Sequence, residues 1–127
     1  MSTPPFDTVA WFEVATDDPG LAQRFYGELF GWSFEADEGS AKDGLDYRLI
    51  RYRGGEAPKG GVYGTKGEAP GHAVFTVAVA DVAATCDRIE GLGGKTVMKA
   101  VGNANGPDFA YVTDPAGNLF GLFTPRP

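Results

Sequence analysis

The sequence predicts an α+β fold made of two βαβββ modules in tandem. An internal repeat supports this fold, because the stretch from Phe12 to Trp32 recurs 63 residues further on, from Phe75 to Lys95, with Phe, Val, Ala and Asp in step. The chain also has 19 glycines, many of them in short connecting stretches, which is typical of short strands joined by turns. Two copies of such a long unit are too few for a solenoid. The repeat therefore favours two equivalent units about a pseudo-twofold axis.

The first module opens with an alternating stretch, Phe6 to Thr16, which predicts a strand with both faces partly covered. Asp18 is placed as the N-cap of a helix with Pro19 at its first position, and Gly31 is placed as the C-cap. The apolar face of this helix is predicted to pack on the sheet, and consists of Ala22, Phe25, Tyr26, Leu29 and Phe30. Three short strands are expected after the helix, at Trp32–Phe34, Tyr47–Tyr52 and Gly61–Tyr63.

The second module repeats this order. A strand from His72 to Val79 precedes a helix that Asp81 caps and that Gly93-Gly94 ends. The helix is expected to bury Val82, Cys86, Ile89 and Leu92. Three further strands are predicted at Thr96–Met98, Asp108–Thr113 and Asn118–Phe123. The last two are joined by a tight turn, Asp114-Pro115-Ala116-Gly117, with proline at its second position.

Composition limits the function classes. The 127 residues predict a single domain, 1–127, made of modules at about 6–66 and 70–125. The net charge of −6 argues against nucleic-acid and membrane partners. The lone cysteine, Cys86, excludes an internal disulfide, and no secretion signal or long apolar run is seen, so a cytoplasmic protein is expected.

Three motifs carry a resemblance to a known family. They are the D-x-x-x-A-x-x-F-Y helix from Asp18 to Tyr26, the Phe-Gly-Trp that follows it, and the closing D-P-x-G segment from Asp114 to Phe123. In this order, with the duplication, they resemble the vicinal oxygen chelate superfamily of glyoxalase I, extradiol dioxygenases and bleomycin-binding proteins. The resemblance covers nearly the whole chain. It implies a cup-shaped, curved mixed sheet with helices on the outer face.

The resemblance also implies where a metal would be held. Metal-dependent members take one ligand from the first and one from the last strand of each module. The corresponding positions here are Trp11, Gly61, Val74 and Gly121. None of these side chains can ligate a divalent cation, which prefers imidazole, thiolate or carboxylate. We therefore expect no metal and no cofactor, and a hollow where two glycines face an indole.

Alternation along the strands, together with the resemblance, selects the residues that would line this hollow. They form an aromatic surface with a few polar groups, which is the composition of a small-molecule pocket. The predicted ligand-binding residues are Trp11, Glu13, Leu49, Arg51, Gly61, Tyr63, His72, Val74, Thr76, Phe109, Tyr111, Gly121 and Phe123. The competing interpretation is that these aromatics pack against each other as core. His72, the only histidine, is more often a rim or solvent residue than a ligand in such a position.

Three functions are compatible with this pattern. The first is a metal-free protein that sequesters an aromatic or cationic, antibiotic-like ligand, as the bleomycin-binding relatives do. The second is a metal-independent isomerase, cyclase or lyase with Glu13 or His72 as base and Tyr63 or Tyr111 as hydrogen-bond donor. The third is a structural or regulatory module with a vestigial pocket. Binding leads, since Glu13 is the one carboxylate that the pattern places in the hollow, and a homodimer is expected.

Overall fold

The computed structural model describes residues 4–126. Apart from one short helix between the second and third strands, its helices and strands follow one another in the order that the repeat predicts. They are β1 (Thr8–Thr16), α1 (Pro19–Phe30), β2 (Ser33–Ala36), α2 (Glu38–Lys42), β3 (Tyr47–Arg51), β4 (Gly60–Gly64), β5 (His72–Ala78), α3 (Val82–Gly91), β6 (Lys95–Ala100), β7 (Asp108–Thr113) and β8 (Leu119–Thr124). The predicted α+β class, with two βαβββ modules, is confirmed.

The chain forms two compact units. The first unit is Trp11–Ala73, and the second unit contains the residues from Val74 onward together with those up to Ala10. In the first unit β4 pairs in parallel with β1 and antiparallel with β3, which pairs antiparallel with β2. In the second unit β8 pairs in parallel with β5 and antiparallel with β7, which pairs antiparallel with β6. The pairing scheme of the two copies is therefore the same.

The helix boundaries follow local chemistry that the sequence shows. Asp18 accepts a hydrogen bond from the backbone N–H of Leu21 at 3.1 Å, and Asp81 accepts one from Ala84 at 3.0 Å. Each carboxylate thus satisfies an amide that the first helical turn leaves without a partner. Gly31 ends α1 with a φ of 74°, in the left-handed region that favours glycine. These predicted caps are confirmed, whereas α3 ends at Gly91, before the two glycines expected to stop it.

The second unit has an aliphatic core under α3. Val82 and Cys86 of the helix are buried against the sheet, in a cluster that also contains Val79, Ala110, Val112 and Leu122. Ile89 packs partly against this cluster. Leu92, in contrast, was expected to be buried and is 68 % exposed, because the helix has already ended and Leu92 serves as its C-cap.

The first unit packs aromatic rings between α1 and the sheet. Trp32 contacts four other rings at centroid distances of 5.0 to 5.6 Å, and these belong to Phe12, Tyr26, Phe30 and Tyr52. Rings at such distances attract one another beyond simple burial. Even so, no residue of α1 is fully buried. The expectation that Phe25 and Leu29 pack on the sheet is wrong, since each is 58 % exposed, and Phe30 is 50 % exposed although its ring contacts Trp32.

A short helix, α2, lies between β2 and β3 and was not predicted. Asp37 caps it by accepting hydrogen bonds from the backbone N–H of Ser40 at 3.2 Å and from its hydroxyl at 2.6 Å. Across residues 4–126, no helix has the length and apolar character needed to cross a membrane.

Candidate functional site

One face of the first unit gathers most of the predicted polar site residues. The strand registers place Glu13 beside Gly61, Leu49 beside Gly61, and Tyr47 beside Tyr63. Since partners in register project to the same side of a sheet, these residues share a face. Trp11 lies on this face as well, two residues before Glu13 in the same strand.

A buried carboxylate on this face is bonded to the only histidine. Glu13 is 7 % exposed, and its Oε2 lies 2.8 Å from Nε2 of the half-buried His72. Removing a carboxylate from water costs several kcal/mol unless a hydrogen-bond or charge partner compensates. Such a partner is present here, because the imidazole nitrogen satisfies Oε2 of Glu13 with a hydrogen bond. His72 is therefore part of a pair with Glu13, which its predicted place at the rim did not indicate.

Tyr47 lies on this face in contact with Trp11 and near Tyr63, and it is not among the site residues that the sequence predicts. The indole Nε1 of Trp11 donates a hydrogen bond to the Tyr47 hydroxyl at 2.9 Å. The Tyr47 ring also lies 6.4 Å from the ring of Tyr63. Alternation from Leu49, two residues further on, was the available signal, because it puts Tyr47 on the same face.

The space above Gly61 is filled by Tyr47. A Cβ added to Gly61 would overlap the tyrosine ring, so glycine here permits close packing of an aromatic side chain. At the equivalent position of the second unit, a Cβ on Gly121 would lie 2.9 Å from Oγ1 of Thr76. The inference that these two glycines leave empty volume is therefore wrong, since side chains of their own units occupy the space.

Arg51 is engaged at the edge of the same face. Its guanidinium forms an ion pair with Glu35 of β2, with a 2.6 Å hydrogen bond from Nε to Oε1, and also donates to the backbone carbonyl of Glu56. This half-exposed pair holds the end of β3 to β2 and to the following loop. Arg51 is predicted to contact a ligand, and in the structure it contacts these protein groups.

The remaining predicted residues lie in the second unit and are grouped there. Thr76 stands beside Gly121 in the parallel pair, and Tyr111 stands beside Gly121 in the antiparallel pair. Phe109 faces Phe123, and its ring meets Tyr111 edge-on at 5.9 Å. Val74 is half-buried at the start of this group. These residues share one face of their own sheet, as alternation predicts.

The positions that the family resemblance implies for a metal do not fit one. Trp11 and Gly61 are both engaged with Tyr47, and neither indole nor glycine offers a ligating side-chain atom. Val74 and Gly121 offer none either. Among residues 4–126 there is no cluster of three or more His, Cys, Asp and Glu side chains that could hold a metal ion.

A shallow depression lies elsewhere on the first unit. It has a volume of about 420 Å³ and is formed by α1 and the start of β2. Its lining residues are Gly20, Gln23, Arg24, Gly27, Glu28, Trp32, Ser33 and Phe34. None of the predicted site residues lines it, and its wide opening to solvent is unlike the concave, largely enclosed pockets that bind small molecules.

The sequence of this chain is similar to those of several known proteins. The sequence model of the Glyoxalase/Bleomycin resistance protein/Dioxygenase superfamily matches residues 8–122. The protein CFP32 of Mycobacterium bovis, whose name places it among the glyoxylases, is 31 % identical over 121 residues, which are 94 % of this chain and 45 % of CFP32. The chain thus spans less than half of that relative. A glyoxylase-like domain-containing protein of Didymella fabae is 26 % identical over 118 residues, which are 91 % of this chain and 92 % of the relative.

Solved structures share the fold. The methylmalonyl-CoA epimerase of Mycobacterium tuberculosis matches with a TM-score of 0.62 at 19 % identity, covering 100 % of this chain and 93 % of the epimerase. A variant of the Streptomyces coelicolor methylmalonyl-CoA epimerase, in complex with 2-nitronate-propionyl-CoA, matches with a TM-score of 0.65 at 17 % identity, covering 97 % of this chain and 100 % of the epimerase. At these identities the likeness establishes the fold alone.

Proposed function

Because this chain belongs to the Glyoxalase/Bleomycin resistance protein/Dioxygenase superfamily, we propose that it binds a small molecule and moves a proton on it with Glu13 and His72. The observation that carries the proposal is the buried carboxylate paired with an imidazole at 2.8 Å. In the sequence alone, Glu13 is a candidate base with no second acid–base group assigned to it. The pairing supplies the second group that acid–base chemistry requires.

The chemistry follows from the two side chains. Ionised Glu13 takes a proton from a carbon next to a carbonyl, and the electrons of the broken C–H bond move into the carbonyl as an enolate. The protonated carboxyl exchanges its proton with solvent and then returns one to a neighbouring atom on the same face. The net reaction is an isomerisation in which atoms and electrons balance without an oxidant. His72 holds the carboxylate in place through Nε2, and Tyr63 is the candidate donor to the enolate oxygen.

We propose that this chemistry uses no metal, because the four implied metal positions carry no ligating side chain. Elemental analysis after purification from medium supplemented with zinc, iron and nickel is expected to show far less than one equivalent. A saturable site with one metal per chain would contradict the proposal.

A second candidate function is sequestration without turnover. The observation in its favour is the group of rings, Trp11, Tyr47 and Tyr63, beside the buried carboxyl group of Glu13. Such a surface suits a flat aromatic ligand or a cationic antibiotic, which rings and carboxylate attract together. The acidic net charge of the chain is compatible with a cationic ligand.

Deuterium uptake separates the two functions. The protein is incubated in deuterium oxide with a metabolite extract of its natural host cells, and compounds that gain deuterium are identified by mass spectrometry. A proton-transfer enzyme labels its substrate, whereas a sequestering protein retains a compound that stays unlabelled. Glu13→Gln keeps the shape and is expected to slow labelling by roughly 10²- to 10⁴-fold.

Glu35→Gln is the matched control, because Glu35 is a carboxylate on β2 that is occupied by Arg51. It is expected to label the same compound at the wild-type rate. Equal labelling by the wild type and Glu13→Gln would exclude Glu13 as the base. The cytoplasmic location and the absence of nucleic-acid and membrane partners stay predictions from composition.

A further inference from the structure

The loop between β6 and β7, residues 101–107, contains an asparagine that is followed by glycine. Asn105 is exposed there and Gly106 is half-buried, and the other two asparagines of the chain precede alanine and leucine. The side-chain amide of asparagine can react with the backbone nitrogen of the next residue, which makes asparagine a chemically labile residue. Glycine permits this reaction best, because it has no Cβ to shield its nitrogen.

The two usual structural reasons for glycine do not apply at Gly106. Its φ lies outside the left-handed region, and a Cβ built on it would meet no atom within 4 Å. Gly61, in contrast, is required because the ring of Tyr47 occupies the space above it. The backbone N–H of Gly106 also makes no hydrogen bond to another residue within 4–126. No such contact therefore has to be broken before this nitrogen reacts.

The other two asparagines are held by their side-chain amides. Nδ2 of Asn103 donates to the backbone carbonyls of Ala100 and Pro107, each at 3.0 Å. Nδ2 of Asn118 donates to the carboxylate of Asp114, also at 3.0 Å. Each of these two asparagines precedes a residue whose Cβ hinders attack by the backbone nitrogen. They are therefore internal controls for the chemistry of the Asn-Gly pair.

The guanidinium of Arg126 bridges the reactive pair. Its Nη1 donates to the backbone carbonyls of Asn103 at 3.4 Å, Ala104 at 3.1 Å and Gly106 at 2.9 Å. Joining Cγ of Asn105 to the nitrogen of Gly106 requires rotation about the backbone bonds of Asn105. Because one guanidinium nitrogen holds the carbonyls on both sides of Asn105, it opposes this rotation.

We propose that Asn105 is a site of spontaneous covalent modification and that Arg126 restrains its rate. The nitrogen of Gly106 gives its proton to solvent base and bonds to Cγ of Asn105, and the side-chain nitrogen leaves as ammonia. Water then opens the five-membered imide at one of its two carbonyl groups, which leaves aspartate or isoaspartate at position 105. Water is consumed and ammonia is released, with no oxidation. The product carries a new negative charge in the loop that holds the Arg126 guanidinium.

The first test is incubation of the purified protein in heavy-oxygen water at mildly alkaline pH, followed by digestion in ordinary water and mass spectrometry. Opening of the imide in heavy-oxygen water labels the new carboxyl group, so modification during incubation is distinguished from modification during digestion. Peptide fragmentation is expected to place the label at 105, with much less at 103 and 118. Asn105→Gln and Gly106→Ala are expected to suppress it and to leave the circular dichroism spectrum unchanged, because a Cβ at Gly106 has open space.

The second test concerns the restraint. Arg126→Gln removes the guanidinium and is expected to label Asn105 roughly 2- to 10-fold faster, the rate equivalent of about one net hydrogen bond. Arg88→Gln is the matched control. Arg88 is an exposed arginine of α3, so its replacement makes the same change in net charge without touching the loop, and the wild-type rate is expected.

Three results would overturn the proposal. One is a wild type that acquires no label at 105 under conditions in which a free peptide of residues 102–108 does. The others are labelling at 103 or 118 that is as fast as at 105, and an Arg126→Gln rate no higher than that of Arg88→Gln. These measurements do not involve Glu13 or His72, so this proposal fails or holds independently of the proposed proton transfer.

Discussion

The two units hold equivalent helices in equivalent strand arrangements, yet they bury them differently. In the second unit α3 presents small aliphatic side chains, Val82 and Cys86, and both are fully buried on the sheet. In the first unit α1 contributes the large rings Tyr26 and Phe30 to a cluster centred on Trp32, and no residue of the helix is fully buried. A duplicated unit can therefore keep its topology while one copy keeps a tight core and the other leaves apolar side chains exposed.

The two units also differ on the face of their strands that is opposite to the helices. The first unit has the buried Glu13–His72 pair and the hydrogen bond from Trp11 to Tyr47. The second unit has rings and a threonine on its corresponding face. The hydrogen-bonded polar side chains of this face are therefore concentrated in the first unit. Substitutions at equivalent places in the two units are expected to differ in their effects, from large in the core to small in a surface turn.

The largest effect is expected in the core of the second unit. Leu122→Ala removes a side chain that is nearly inaccessible and leaves a cavity, so it should lower the free energy of unfolding by about 2–5 kcal/mol. Leu21→Ala on α1 should change it by about 0.5 kcal/mol or less, because that side chain is mostly in water already. Urea unfolding at low chain concentration measures both. Equal losses would show that the surface of α1 is covered within the monomer.

Gly61→Ala is expected to have the next largest effect. Its Cβ would overlap the ring of Tyr47, and such overpacking should lower the free energy of unfolding by about 1–3 kcal/mol. Gly121→Ala should cost less, because the nearest atoms its Cβ would meet, Oγ1 and Cγ2 of Thr76, lie 2.9 and 3.1 Å away and do not overlap it as the Tyr47 ring would overlap a Cβ at Gly61. In a double-mutant cycle, Gly61→Ala should be milder in the background of Tyr47→Leu. Strict additivity would mean that the ring does not determine the need for glycine.

Most of the fold was predictable because its signals are local. Asp18 and Asp81 cap helices by reaching an amide three residues ahead, and the turn from Asp114 to Gly117 closes within itself. Such contacts involve neighbours in the chain, so the sequence displays them directly. The faces of the strands follow from alternation for the same reason, and repetition of the whole pattern indicated two modules.

The site was less predictable because its contacts join distant residues. Glu13 and His72 are 59 positions apart, and each was recognised without its partner. The filling of the space above Gly61 depends on how β3 pairs with β4. The register places Leu49 beside Gly61 and Tyr47 beside Tyr63, and the ring of Tyr47 extends over the glycine. The periodicity of α1 identified an apolar face that includes Phe25, but periodicity does not say whether the fold covers that face.

A smaller effect is expected at the two helix caps, where the units should behave alike. Asp18→Ala and Asp81→Ala each remove one acceptor from the first helical turn and should each cost about 1 kcal/mol of unfolding free energy. Serine in place of either aspartate should retain most of the stability. Thermal or urea unfolding of the four variants tests this. A much larger loss at Asp18 would show that α1 depends on its cap where α3 depends on its buried face.

The smallest effect concerns the turn between β7 and β8, which has no equivalent hydrogen-bonded aspartate in the first unit among the described contacts. Hydrogen bonds from the Asn118 side chain and backbone, with a further one from the Ala116 backbone N–H, lower the pKa of Asp114 below its usual value of 3.8. The folded state thus binds the proton less readily than the unfolded chain, and the stabilisation is complete above the ordinary pKa. It is lost as the pH falls through the lowered pKa, where the folded carboxylate becomes protonated.

The difference in urea midpoint between the wild type and Asp114→Ala should therefore be constant near neutral pH and shrink in acid. Asp87→Ala, an exposed change on α3, serves as the control and should show a difference that varies less with pH. A wild-type advantage over Asp114→Ala that persists unchanged into strong acid would mean that the turn is held by its backbone alone.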